Sequence, residues 1–586
     1  MGTASRTTRF SHADEVSHTH YYSVTIPEEH LRVELTGSSH SAVFRVTPLE
    51  DGPVFVVLEP NSDRSEGKVR TAGKRIYAEN PVYRIYQRWG QPAGFSGHIV
   101  LECEEEPVQS GVSDGKAWVR FLGKKGTPLI LRASTSFTGT EGAEQNLEAE
   151  RAGFEQTASR LADVWCGRFH RIDIEGGEKA AVNQFYGALY RASFLPREMS
   201  DCDGDYLAFN SGRVRSKKGR SFGDFSLWDT YRALHPLLTI TEPTLSGEMM
   251  QSLTDMYAQS GWMPIFPCWN SFTAAMIGDH AASVIAEAYV KGIRNFDVAT
   301  AYEGLHKNAM ASPVMERDYA EGKGRRAVES YWEYGFIPLE DGVPDAFHTD
   351  EQVSRTLEYA YDDWALSRMT ADLGTDYDYR NLLRRAENWR NVFDTSVKSV
   401  NGRHADGSFL PPGRQDERVS WITEGAPCHY TWYVPQNVPG LISAMGGRDA
   451  FCSRLDELFD NGLYWHGNEP CHQIAYLYSL AGRPDRTRQR VREILSAEYT
   501  DSPGGLSGNE DAGQMSAWYI FSTLGFYPVN PASGEYVIGA PQFPKATLNL
   551  ENGRSFTIIS DNSAPERISL KHSEILGGGS IRLRTE

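Results

Sequence analysis

The chain has 586 residues and a mass of 65.5 kDa, well beyond the ~250–300 residues at which single cores stop growing, so two or more domains are expected. Hydrophobic residues make up 40% and charged residues 23%, close to the globular average, which excludes wholesale disorder, collagen-like chains and coiled coils. A net charge of −18, with no basic patch along the sequence, argues against nucleic acid and anionic membrane surfaces as partners.

The seven cysteines are scattered, with no CxxC pair and no disulfide framework. The start, Met1-Gly2-Thr3-Ala4-Ser5-Arg6, has no apolar h-region, and no apolar run of ~18 residues occurs. The sequence therefore predicts neither a signal peptide nor a membrane span, and a signal already removed would leave the same start. From residue 19 to about 136, short apolar or alternating runs such as Ala42-Val43-Phe44-Arg45-Val46, Val54-Phe55-Val56-Val57-Leu58 and Trp118-Val119-Arg120-Phe121 are broken by Gly, Pro, Asp and Ser. Such strands with frequent turns predict a β-sandwich. Residues 140–165 read as a charged connecting helix.

The period then changes. Leu245, Met249, Leu253, Met256 and Tyr257 share one helical face, as do Leu357, Tyr361, Trp364 and Ala365, and further helices are predicted at 178–194, 279–291, 379–393, 441–459, 485–498 and 512–524. Single-sided helices in succession bury one another most economically as hairpins closed into an α/α toroid. After Pro528 short strands return at Tyr536-Val537-Ile538, Ala546-Thr547-Leu548 and Phe556-Thr557-Ile558-Ile559. The expected class is α+β multidomain: an N-terminal β-sandwich at 1–137, a helical linker at 138–170, an (α/α)6 barrel at 171–528 and a small C-terminal β unit at 529–586.

Several loop-like stretches concentrate Trp, His, Asn and carboxylates. In Trp228-Asp229-Thr230-Tyr231, Asp229 can bind a sugar hydroxyl while the ring covers its apolar face, or it can cap the following helix. Asp279-His280 also precedes a helix, where capping is the simpler role. Glu424 sits among apolar and aromatic residues, surroundings that raise a carboxyl pKa toward that of a general acid; the alternative is a helix-start Glu. His466-Gly467-Asn468-Glu469-Pro470 offers the oxygen atoms that hard cations such as calcium take, without EF-hand spacing. Glu510-Asp511 leads into an apolar helix, and capping explains one of these acids but hardly both. Two carboxylates on separate loops suit glycoside hydrolysis.

At these segments the sequence resembles glycoside hydrolase family 92, the calcium-dependent, exo-acting, inverting α-mannosidases. Phe10-Ser11-His12, Glu34-Leu35-Thr36, Trp228-Asp229-Thr230-Tyr231, Leu357 through Trp364, Thr423-Glu424-Gly425, Asn468-Glu469-Pro470, Gly508 through Tyr519 and Gly525-Phe526-Tyr527-Pro528 carry the resemblance in family order. It implies hydrolysis of terminal α-linked mannose from oligosaccharides or glycoprotein glycans, with Glu424 as general acid and Asp511 as general base. Trp228, Asp229, Asp279, His280, His466 and Glu510 are implied at the sugar, and Asn468, Glu469 and Asp511 around Ca2+. The resemblance also implies that the chain opens inside the family's first β domain. A secreted or periplasmic setting follows family habit, and a cytoplasmic one follows if the chain is native as given.

Departures from the family pattern narrow the reading. Ala426-Pro427-Cys428-His429 after Glu424-Gly425, and Gln436-Asn437 after Pro435, differ from the usual residues near the acid, so leaving-group recognition is expected to be unusual. Gly467 replaces the Glu common in α-1,2-specific members, which points away from strict α-1,2 specificity. Two alternatives are a carbohydrate-binding protein of the same fold with impaired catalysis and an α/α-barrel glycosidase or phosphorylase acting on another sugar. Joint presence of Glu424 and Asp511 opposes the first, and the lack of a recognisable phosphate pocket opposes phosphorolysis.

Overall fold

Alternating residues in the N-terminal strands face two ways, and the computed structural model shows where each set goes. It describes residues 8–60, 66–85, 90–343 and 348–586, so the Met1–Arg6 start lies outside the described residues. An antiparallel sheet runs in the order Glu15–His18, Tyr21–Ile26, Leu31–Gly37, Ser41–Pro48, Leu129–Ser136, Pro92–Cys103, Arg75–Tyr83, Lys68–Ala72. A second sheet pairs Gly52–Leu58, Lys116–Gly123 and Gln109–Ser113. Val46, Ile76, Leu101 and Leu131 from the first sheet pack with Val54, Val119 and Phe121 from the second, which makes this unit the expected sandwich. The strands Leu31–Gly37, Lys68–Ala72, Arg75–Tyr83 and Pro92–Cys103 were not among the runs singled out in the sequence. Their polar residues, such as Glu34, Arg75, Glu79 and Glu102, blur the alternation and are held in ion pairs with their neighbours.

The helices Thr140–Ala149 and Phe154–Phe169 follow in the same unit, and Glu198–Phe222 also folds with it. The second unit holds Arg171–Arg197 and Gly223–Glu586 and is the predicted helical body. Its helices Lys179–Arg191, Ala281–Val290, Pro484–Ala497 and Gln514–Leu524 match the predicted spans within a few residues. The predicted helix over 441–459 is two, Val438–Ala444 and Arg448–Asp460, because Gly446 and Gly447 between them take φ of +99° and +100°. The predicted helix over 379–393 is Asp376–Arg385 followed by a 3₁₀ turn, Asn388–Asn391.

At the centre of this unit the helix Gln352–Leu373 is buried almost all round, carboxylates included. Those charges are tolerated inside because each is paired. Asp363 takes Arg325 Nη1 at 2.6 Å and Arg385 Nε at 2.8 Å, and Asp362 accepts the Asp279 backbone N–H at 2.7 Å. The C-terminal strands are not separate from the helical body. Lys545–Asn549 pairs antiparallel with Ile172–Glu175 and with Ser555–Ser560, which pairs parallel with Gly579–Leu583. Among the described residues no helix is long and apolar enough to cross a membrane.

Candidate active site

Three turns of the helical unit bring carboxylates together. Asp229 lies inside the four-residue helix Leu227–Thr230 and does not cap it; the Ser226 hydroxyl donates to Asp229 Oδ2 at 2.5 Å. Glu469 begins the 3₁₀ turn Glu469–Cys471, in which Pro470 fixes φ at the second position. Asp511 precedes the helix Gln514–Leu524, and its carbonyl accepts the Gln514 N–H at 3.1 Å. One carboxylate oxygen from each of Asp229, Glu469 and Asp511 lies within 4.8 Å of the others.

Asp229 and Glu469 are buried, and burial first and the neighbouring acids second hold both carboxyls well above the usual carboxylate range. Glu469 Oε1 is buried without a hydrogen-bond partner. An acceptor-only cluster with an orphaned oxygen and like charges in contact fits a hard cation with oxygen ligands, because such an ion removes the repulsion and satisfies the orphan together. Asn468, expected beside the ion, donates its side-chain N–H to the Glu424 carbonyl at 3.3 Å and so ties this segment to the next carboxyl.

Glu424 stands accessible on its turn, with no capping role, since the helix after it starts only at Pro427. Partial burial pushes its carboxyl up; His348 opposes the shift and Asp511 adds to it. Its backbone has φ +50°, and Asp511 and Ala512 have φ +46° and +59°. Left-handed backbone at non-glycine residues costs about 1–3 kcal/mol each and persists where the surroundings over-determine it, often at functional sites. The turn after Glu424 is braced by His429, whose Nδ1 accepts the Ala426 N–H at 3.1 Å while Nε2–H donates to the Leu463 carbonyl at 3.0 Å.

Other residues expected at a sugar are engaged by protein partners. Both nitrogens of buried His466 meet tyrosine hydroxyls, Tyr464 at 2.8 Å and Tyr499 at 2.7 Å. Asp279 does not cap; it pairs with Arg325 at 2.9 Å and takes the Asn308 amide at 3.1 Å. His280 lies between Glu358 and Asp362, which outweigh its burial and push it up to about 9. Trp228 is 2% exposed, so its ring is not an open platform. Glu510 is the acid that braces its helix, accepting the Ser516 N–H at 3.0 Å and pairing with Arg191 at 3.0 Å. The altered Pro435-Gln436-Asn437 has structural work: Asn437 caps Val438–Ala444, and Gln436 donates to the Ala386 carbonyl. Asp229 was assigned to the sugar in the sequence, and its place in the carboxylate trio carries no local sequence signal.

A partly desolvated carboxyl, electrostatically linked to a carboxylate cluster on other turns, supplies the acid and base groups of enzymes that cleave glycosidic bonds. The chain belongs to glycosyl hydrolase family 92: the family's catalytic-domain model matches residues 142–577 and its N-terminal-domain model residues 2–150. A family GH92 α-mannosidase of Bacteroides thetaiotaomicron is 29% identical at a TM-score of 0.87, with 98% of this chain and 81% of that chain covered. The same enzyme in complex with mannoimidazole gives 28% identity and a TM-score of 0.88 over 98% of this chain and 82% of that one. A family GH92 inverting mannosidase of the same organism gives 27% and 0.88 over 98% and 84%. A curated relative described as an uncharacterized secreted glycosidase of Arthroderma benhamiae is 26% identical over 520 residues; the match takes in 80% of this chain and 61% of that protein's length.

Proposed function

We propose that this protein is an exo-acting, inverting α-mannosidase that depends on calcium and removes terminal α-linked mannose from glycans. The observation that carries the reading is the pairing of a partly desolvated Glu424 with the Asp229, Glu469 and Asp511 trio, with Glu424 and Asp511 both held at positive φ. Glu424, whose carboxyl is raised by partial burial, is the group that would give the departing glycosidic oxygen its proton. Asp511 takes a proton from the water that attacks the anomeric carbon from the opposite face, which requires a carboxyl separation of roughly 6.5–9.5 Å. Asp229, Glu469 and Asp511 would hold the calcium ion, which supplies a positive charge for sugar hydroxyls when bound. The mannosidases among the solved relatives support the choice of sugar, and the inverting one supports the stereochemistry.

Strict α-1,2 specificity is not expected. A Cβ at Gly467 would come within 2.9 Å of Trp465 Nε1 and 3.1 Å of the Gly508 backbone, so this packing has no place for the acidic side chain of α-1,2-specific members. The test is a panel of linkage-defined mannobioses with and without chelator, followed by NMR of the anomer first released. Release of β-mannose, lost in chelator, is the expected result. Release of α-mannose, or full turnover in excess chelator, contradicts the proposal.

A further inference from the structure

Buried donors from three separate segments of the chain converge on one side chain. Glu358, in mid-helix of Gln352–Leu373, has no solvent exposure. Its Oε1 accepts the Trp228 indole N–H at 3.0 Å and the Tyr430 hydroxyl at 3.1 Å, and its Oε2 lies 3.0 Å from His280 Nε2. Arg232 Nη2 stands 4.0 Å from Oε1. Trp228 directly precedes Asp229 of the carboxylate trio, and Tyr430 closes the short helix Pro427–Tyr430 that follows Glu424. His280 is stacked on Tyr231 at 4.1 Å, and its Nδ1 lies 2.9 Å from Asp362, one turn further along the Glu358 helix. There is no slack around the junction: a Cβ on Gly278 would stand 2.7 Å from Glu358 Oε2.

We infer that Glu358 is a positioning residue that fixes the Glu424 turn relative to the Asp229 turn by tying both to one buried helix. Only a carboxylate offers acceptor capacity at both oxygens with no donor to turn the wrong way. Hydrogen bonds to a charged acceptor are roughly twice as strong as neutral ones, which suits a junction that must not drift. The consequence for turnover rests on the proposed acid–base reading. Inverting hydrolysis depends on the separation of Glu424 from Asp511, whose carboxylate shares the trio with Asp229, and a slip of about 1 Å costs about 100-fold in rate. The geometric half of the inference stands without that reading.

The test compares Glu358→Gln with the parent chain. Its amide NH2 would face at least one of the three donors. On an unactivated mannobioside kcat is expected to fall about 100-fold, and on an aryl mannoside with an activated leaving group about 10-fold, with KM unchanged. In hydrogen exchange, peptides covering 226–232 and 424–431 are expected to speed up together while the N-terminal sandwich keeps its parental rates. Tyr430→Phe deletes one hydroxyl and keeps the ring, so it answers if Glu358→Gln does not fold; it is expected to loosen 424–431 alone and to show the same leaving-group dependence in smaller measure. Parental exchange at both turns overturns the inference, as does a loss of rate equal for both leaving groups. If the parent turns over no α-mannoside, the proposed function has failed and exchange alone decides the role of Glu358.

Discussion

Replacing Asp229 by Asn should change stability in opposite directions with and without calcium. Oxygens of Asp229, Glu469 and Asp511 lie within 4.8 Å of one another, where two unit charges repel by about 3.5 kcal/mol at an effective dielectric of ~20. For fully charged groups at that separation the substitution removes two of the three pairs, a relief of about 7 kcal/mol. Proton uptake limits that figure, because Asp229 and Glu469 are held well above the usual carboxylate range by burial and by their acidic neighbours. The net gain in chelator is therefore expected within the roughly 0.5–3 kcal/mol of ordinary point substitutions. The Asn carbonyl can keep the 2.5 Å bond from the Ser226 hydroxyl. With calcium the order reverses: a cation at 100 times its Kd stabilises the parent by about 2.7 kcal/mol, and the variant, one charged ligand short, loses most of this. Thermal unfolding in EDTA and in millimolar calcium reads both effects. A variant less stable than the parent in both media would show that the trio is not under mutual repulsion, and the argument for a cation would fall with it.

Glu424→Gln is expected to slow release of poor leaving groups by about 10²–10⁴-fold and of activated aryl groups far less; equal losses would remove Glu424 from the acid role. Because burial lifts Glu424 above 4.5 and it acts protonated, kcat/KM should fall as pH rises through that raised value. A pH–rate profile whose basic limb lies at or below 4.5 would contradict this. Arg325→Met deprives Asp279 and Asp363, both fully buried, of a shared partner. A loss of about 3–5 kcal/mol is expected, read as a lower urea midpoint of the helical unit, and an unchanged midpoint would refute the pairing argument. Gly467→Ala places a Cβ 2.9 Å from Trp465 Nε1 and 3.1 Å from the Gly508 backbone. An overpacking cost of about 1–3 kcal/mol should appear in the melting temperature, and no change would mean that Trp465 simply swings aside.

The fold was legible where one physical signal dominated. Helices such as Gln514–Leu524 and Pro484–Ala497 have clean apolar faces and defined ends, and the sequence locates them to within a few residues. It overran at Gly446-Gly447, where an apolar stripe continues across two residues that leave the helix. It missed N-terminal strands rich in charged residues, since their polar side chains are neutralised by partners distant in sequence that periodicity cannot see, as Arg75 is by Glu102 on the next strand and by Glu144 and Glu148 on the helix Thr140–Ala149. Ile172–Glu175, which pairs with Lys545–Asn549, is a contact of long sequence separation, and nothing local announces it.

The candidate site divides along the same line. Glu424, Glu469 and Asp511 stand out in sequence because each lies in a short polar turn among aromatic residues, and these turns carry the resemblance to the family. What the sequence could not convey is how such turns are held. Glu358 reads as one more polar position on an amphipathic helix, yet all of its acceptors are inside and engaged by Trp228, Tyr430 and His280. Similarly, His466 and Asp279 look like ligand contacts by residue type, but their partners are Tyr464, Tyr499 and Arg325. A buried polar residue must find a partner wherever it sits, so residue type alone cannot separate a group that meets a substrate from one that braces its neighbour. Backbone strain adds a second mark at two of the candidates. Glu424 and Asp511 are both held at positive φ, whereas Asp279, His280 and His466 are not, and neither are Asp229 and Glu469, so the strain singles out the proposed acid and base rather than the cluster as a whole.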